Sequence, residues 1–312
     1  MGDRGRRLTA LTAAVVVTVL LTAASCGDDA PQPAAAEPQS ATTPSAKPTP
    51  VKDAYLWFAD VDTAAEPNVV MIHGVPWVRY THLKKPQANP VTVTQWGLEQ
   101  HAKGHNRLAI RAARWLVSRQ RSDGTWAYRF DNPLDWAGTS VSAPWVSGMA
   151  QGQALSLLER VWRITGNDVF RRAGHRALAS FSVSVKKGGV LRVWRGHPFY
   201  EEYPTTERPT LVLNGFLFAL IGLHEFAAKT GDREAERLWR RGEASAAAVL
   251  RLYDMGGGAS SYGLAHLAGG PAPVPVADVY PYIHVVLTRV MYKITGRQVY
   301  RAMSQRWKAA LP

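Results

Sequence analysis

The sequence predicts an all-α chain, an incomplete α/α toroid of helical hairpin repeats, with a small strand-rich segment ahead of it. A Thr-Gly pair recurs at Thr165-Gly166, Thr230-Gly231 and Thr295-Gly296, each 65 residues after the last. A looser counterpart, Lys103-Gly104, lies about one period earlier. Apolar residues at helical spacing run up to each pair and resume after it: 150–164 then 169–183, 211–228 then 235–252, 285–294 then 299–307. Glycine just past a helix end supplies the left-handed residue that lets the chain reverse, so each pair marks a tight helical hairpin. The remaining connections, roughly 121–145, 186–209 and 253–282, are long and rich in aromatic residues, glycine and acids. If the tight turns share one end of the ring, the long loops share the other and line one cleft, the usual place for chemistry on a rigid scaffold.

In chain order, residues 1–26 read as an export signal. Arg4, Arg6 and Arg7 precede an apolar run from Leu8 to Ala24, too short for a comfortable membrane span. Leu21-Thr22-Ala23-Ala24-Ser25-Cys26 resembles a bacterial lipobox, which makes Cys26 the expected lipidation site and the membrane an expected partner. The expected location is the outer face of the cytoplasmic membrane, with simple secretion as the alternative. Cys26 is the sole cysteine, so no intramolecular disulfide can form. Residues 27–52, mostly Pro, Ala, Ser and Thr, suit a linker. Residues 53–92 hold β-prone runs, 68–72 and 75–80, and form a small cap; residues 93–312 form the helical domain.

The formal charge is +13, and removal of residues 1–26 leaves about +11. On an exported protein such a balance favours an anionic polymer over nucleic acid, because summed positive potential concentrates polyanions. The histidines are scattered and thiolates are lacking, so no metal site is proposed. Gly256-Gly257-Gly258 lacks the strand-to-helix setting and lysine of a phosphate loop, and no dinucleotide motif is present. The expected chemistry is acid/base work without a cofactor.

Tyr200-Glu201-Glu202-Tyr203-Pro204-Thr205-Thr206 places two adjacent carboxylates between tyrosines, just before a helix. Both cannot be buried and ionised without strong repulsion, so one should face solvent or an arginine and the other point inward. At 278–284, Pro281 suits the first helical position, which puts Tyr280 at a helix N-terminus, where partial positive charge favours a phenolate. His284 is four residues on, hence on the same face, while Tyr282 lies on another.

The Tyr200–Thr206 motif and the following run 211–223, with 148–154 before it and 252–254 after it, resemble in order and spacing the C-terminal domain of the D-glucuronyl C5-epimerase family. The likeness extends from about Val93 to Trp307. It implies a helical toroid that inverts C5 of glucuronate in an acidic polysaccharide, in the manner of a heparosan-type isomerase. It maps Tyr280, Glu202, Tyr203 and Tyr262 onto the catalytic group and His284 onto a site histidine. Trp126, in the first long loop, and Asn214, at the start of the next helix, are further expected substrate contacts. In the family an arginine three residues beyond the Tyr262 equivalent holds the uronate carboxylate; here that place is Ala265. Arg192, Arg195 and Arg208 are then the candidates, and the sequence does not choose among them. Inversion needs acid/base groups on both faces of the sugar and neutralisation of the carboxylate. Two rivals share the scaffold: a polysaccharide lyase or glycoside hydrolase, and a non-catalytic glycan-binding surface protein. A homodimer is a further expectation.

Overall fold

A computed structural model describes residues 62–277 and 280–311. The expected signal, the lipidated Cys26 and the linker fall outside those residues, as do Asp278 and Val279. Within them the chain is mostly helical, with strand confined to short pairs.

Eight α-helices form four consecutive hairpins: α1 (Pro90–Ala102) with α2 (Asn106–Arg119), α3 (Gly148–Thr165) with α4 (Asp168–Ala177), α5 (Leu213–Thr230) with α6 (Arg233–Val249), and α7 (Tyr280–Thr295) with α8 (Gln298–Lys308). The first members pack in sequence, α1 on α3, α3 on α5 and α5 on α7, while each second member packs on its own partner. The closest approach is between α3 and α5. A Cβ on Gly152 would lie 2.4 Å from Ala219 Cα, and one on Gly222 would lie 1.9 Å from the Gly152 carbonyl. Those glycines are there so that two backbones can touch.

Each Thr-Gly turn is a closed hydrogen-bonding unit. Gly166, Gly231 and Gly296 adopt φ of 65°, 72° and 69°, and their N–H groups donate to the Trp162, Ala227 and Tyr292 carbonyls. The threonine hydroxyls donate back to Val161, Phe226 and Met291 at 2.6–2.7 Å, and accept the N–H of Asn167, Asp232 and Arg297. Glycine supplies the reversal, and threonine satisfies groups that the helix end leaves unpaired.

The N-terminal hairpin β1 (Val69–Ile72) and β2 (Val75–Val78) occupies the β-prone runs. Strand also occurs where helix and loop alone were expected. The first long loop holds β3 (Ala127–Tyr128), β4 (Asn132–Leu134), β5 (Thr139–Val141) and β6 (Trp145–Val146), paired β3–β6 and β4–β5. The second holds the hairpin β7 (Leu191–Trp194) and β8 (His197–Tyr200), and the third β9 (Asp254–Gly256) with β10 (Ala259–Ser260). These loops are partly buried, and pairing satisfies backbone groups that water cannot reach. The helix expected to run to 183 ends at Ala177 and tightens into a 3₁₀ turn over Leu178–Phe181.

The long loops meet at one end. Arg208 in the second binds the Ala137 and Gly138 carbonyls in the first, Trp136 in the first stands edge-on to Tyr262 in the third, and Leu213 N–H donates to the Tyr262 carbonyl.

Candidate active site

The site is built around the residues that leave β8. Tyr200 pairs with Leu191 and Phe199 with Arg192, which brings the Arg192 side chain beside Glu201. Glu201 is fully buried; its Oε1 accepts from Arg192 Nε at 2.6 Å, and its Oε2 from Thr210 Oγ1 at 2.7 Å and Leu211 N–H at 3.0 Å. Arg192 Nη2 also donates to the Thr205 carbonyl. This ion pair is a closed strut that shapes the loop, and Arg192 is consumed by it.

Glu202 is buried too, but differently supplied. Its Oε2 has no hydrogen-bond partner among the described residues. A Cβ on Gly215, in the first turn of α5, would lie 2.1 Å from that oxygen, so residue 215 must lack a side chain for the carboxyl to sit there. Burial pushes its pKa up to about 8, the Tyr203 hydroxyl opposes the shift, and the charge of Glu201 adds to it. A carboxyl poised near neutral pH can either accept or deliver a proton.

Three tyrosines surround it. Burial, followed by the negative charges of Glu202, Tyr262 and Tyr280, holds the Tyr203 hydroxyl well above its usual range. Tyr262 is raised by burial, then by Glu202 and Tyr280, and its hydroxyl oxygen is buried with no hydrogen-bond partner among the described residues. The Tyr262 and Tyr280 rings meet edge to face with centroids 5.2 Å apart. Tyr280 is the first residue of α7, with Pro281 next. Glu202, Tyr203, Tyr262 and Tyr280 therefore converge from two loops and a helix N-terminus into one acid/base cluster.

Glu202 and Tyr203 also line a pocket of about 350 Å³, counted to its open mouth, whose other walls are residues that the sequence reading did not single out. Tyr128 and Trp145 stack at 3.9 Å and 6°. Asn89 caps α1 by accepting the Val91 and Thr92 N–H groups; it also accepts the Tyr128 hydroxyl at 2.9 Å and donates to Tyr80 at 2.8 Å. The N-terminal segment is thus part of the site wall. The dense aromatics of the first long loop were the available signal.

Four expected contacts are placed elsewhere. Trp126 is 1% exposed and its indole N–H donates to the Leu116 carbonyl at 2.7 Å, so it anchors the loop from the core. Arg192 is spent on Glu201. Arg195 sits at the exposed tip of the β7–β8 turn with φ 49°, over the Trp194 ring at 4.5 Å. His284 is fully buried, with Nδ1 2.9 Å from Ser260 Oγ and its ring near Trp307. Burial lowers its pKa to about 3, so the ring is neutral and supplies no charge to Tyr280; its Nε2 has no hydrogen-bond partner among the described residues. Asn214 is buried next to Gly215, and neither of its amide atoms has a partner among the described residues. Ala265 is buried in a 3₁₀ turn, Ala265–Ala268. Among the described residues no group of three or more His, Cys, Asp or Glu side chains could hold a metal ion, and no helix is long and apolar enough to cross a membrane.

A mainly helical scaffold presents a buried carboxyl amid tyrosines on its loop rim, an arrangement that can take up and release a proton. The family model described as D-glucuronyl C5-epimerase C-terminus matches residues 120–309, and the chain belongs to that family. It is 31% identical over 222 residues to a D-glucuronyl C5-epimerase of Caenorhabditis elegans, covering 67% of this chain and 36% of that protein. It is 28% identical over 187 residues to an uncharacterized protein of Methanocaldococcus jannaschii, covering 59% and 56%. The chain thus spans between about a third and just over half of the length of these relatives.

Proposed function

We propose that the chain is a cofactor-independent uronate C5-epimerase, an incomplete α/α toroid acting on glucuronate residues of an extracellular acidic polysaccharide. The observation that carries this reading is the convergence of Glu202, Tyr203, Tyr262 and Tyr280. One group takes the C5 proton, the electron pair left behind delocalises into the C6 carboxyl, and a second group delivers a proton to the opposite face. Glu202 and Tyr280 are the opposed pair, with Tyr203 and Tyr262 beside them. A carboxyl with a pKa near 8 is suited to the exchange, since it lies closer to the acidity of the carbon than an ordinary carboxyl does.

Hydrolysis needs two carboxyl groups flanking a glycosidic bond. Glu201 is spent on Arg192, Thr210 and Leu211 and so is not free to serve as the second carboxyl, which disfavours a hydrolase that pairs these two adjacent acids. A lyase would start with the same abstraction but expel the 4-linked sugar. Incubation with a glucuronate polymer, followed by magnetic resonance of the sugar rings and sizing of the chains, separates the outcomes. New iduronate signals at unchanged chain length are expected; shortened, unsaturated chains would make it a lyase, and an unaltered polymer a binding protein. The chain is further proposed to be exported and tethered through a lipidated Cys26. A Cys26→Ala variant should leave the membrane fraction, and its continued presence there would end the lipoprotein proposal.

A further inference from the structure

The epimerase reading requires a cation at the uronate carboxylate, and none of the residues lining the aromatic pocket carries a positive charge. We propose that Arg208 is that anchor, reaching the sugar from the second long loop in place of a cation at Ala265; the inference rests on the epimerase reading. Three observations lead to it.

The first is the accounting of the guanidinium. Arg208 Nη1 donates to the Ala137 and Gly138 carbonyls at 3.0 and 2.9 Å, and Thr205 Oγ1 donates to its backbone carbonyl. The side chain is therefore held in place. No hydrogen bond or ion pair from a described residue engages its Nε or Nη2. Those atoms form the edge of the fork that matches the two oxygens of a carboxylate. Arg192, by contrast, has spent Nε on Glu201 and Nη2 on Thr205.

The second is position. The turn that Arg208 grips, Asp135–Ala137 with Gly138, carries Trp136, whose ring stands 5.0 Å from that of Tyr262. A Cβ on Gly138 would lie 2.9 Å from Arg208 Nη1 and 3.1 Å from Pro271 Cδ, and one on Gly270 would lie 3.1 Å from the Ala265 Cβ. Arg208 thus abuts the segment that contains Ala265 and stands beside the support of Tyr262.

The third is company. Trp136 Nε1 is buried with no hydrogen-bond partner among the described residues, so the turn that Arg208 grips also carries an unused donor beside Tyr262. A sugar acid, with hydroxyls to accept from the indole and a carboxylate for the arginine, fits that pair. A neutral sugar would leave the fork unused.

Calorimetry of the whole protein with a glucuronate polymer and with the same polymer reduced at C6 to the neutral sugar tests the assignment. The parent is expected to prefer the charged polymer. Arg208→Gln should weaken that binding roughly 10- to 100-fold, the range for a hydrogen bond to a charged group, with binding of the neutral polymer unchanged, which also shows that the variant is folded. Arg208→Lys, which keeps the charge without the fork, should lose part of the preference and decides the matter if Arg208→Gln does not melt cooperatively. Arg195→Gln, at the hairpin tip, should change nothing. A parent without preference for the charged polymer, or an Arg208→Gln or folded Arg208→Lys variant that keeps the parent's full preference, overturns the anchor. Absence of C5 inversion by the parent would instead sink the epimerase reading, which is measured separately.

Discussion

The two ends of the helical hairpins carry different kinds of polar motif. At the Thr-Gly end, hydroxyl, amide and carbonyl are matched within a few residues: Thr230 Oγ1 binds the Phe226 carbonyl and the Asp232 N–H, and Asp232 in turn caps Glu234 and Ala235. At the loop end, Glu202 Oε2, both amide atoms of Asn214 and Trp136 Nε1 are buried without a partner among the described residues. A buried, unmatched polar group costs about 1–3 kcal/mol; such groups occur toward the turn end as well, His101 Nδ1 and His224 Nδ1 among them, but the loop end gathers them around a carboxyl and tyrosines. One end ties the helical hairpins together and the other carries the candidate site.

That contrast predicts large functional and small structural effects at one end, and the reverse at the other. The largest loss should follow Glu202→Gln and Tyr280→Phe. Each keeps shape and removes a proton carrier, so kcat should fall by about 10²- to 10⁴-fold, while circular dichroism and melting show an intact fold. A melting collapse in place of a kinetic one would make these residues structural. Gly215→Ala comes next, because the added methyl must displace the Glu202 carboxyl. Misplacement on this scale can cost about 10²-fold in rate, and an active Gly215→Ala enzyme would show that the carboxyl position does not matter.

Glu202 also sets a pH dependence of stability. Its folded pKa of about 8 exceeds the ordinary 4.5, so its burial costs little below about 4.5, and stability is lost as pH rises from there through about 8. The loss can reach about 1.4 kcal/mol per pH unit in that window. Glu202→Gln should therefore melt increasingly above the parent as pH is raised from 5 to 9, and a constant gap would contradict the buried neutral acid. The smallest effect belongs to the other end: Thr230→Val should cost about 0.5–1.5 kcal/mol and leave kcat unchanged.

The turn end was legible in the sequence because its interactions are local. Thr, Gly and the capping Asn167 or Asp232 lie within four residues of their partners, so a 65-residue recurrence exposed the hairpins. The role of the threonine hydroxyl was not read, although the same residues carry it. At the loop end, adjacency showed that Glu201 and Glu202 must differ, but the choice between them rests on Arg192 across a hairpin and on Thr210. The aromatic wall joins Tyr80, Asn89, Tyr128 and Trp145 through contacts between residues up to 39 positions apart, which no periodicity announces. The charge state of His284 was hidden for a related reason. Helical spacing put it on the face of Tyr280, whereas Ser260 and Trp307, from other elements, enclose it and keep it neutral.

The account turns on proton exchange at a single carbon, and heavy water reads that exchange directly. With a glucuronate polymer in deuterated buffer, the parent should place deuterium at C5 without shortening the chain, and Tyr280→Phe should reduce incorporation toward background. Incorporation by Tyr280→Phe within a few-fold of the parent would remove the phenol from the mechanism, and absence of deuterium at C5 with the parent protein would contradict the account as a whole.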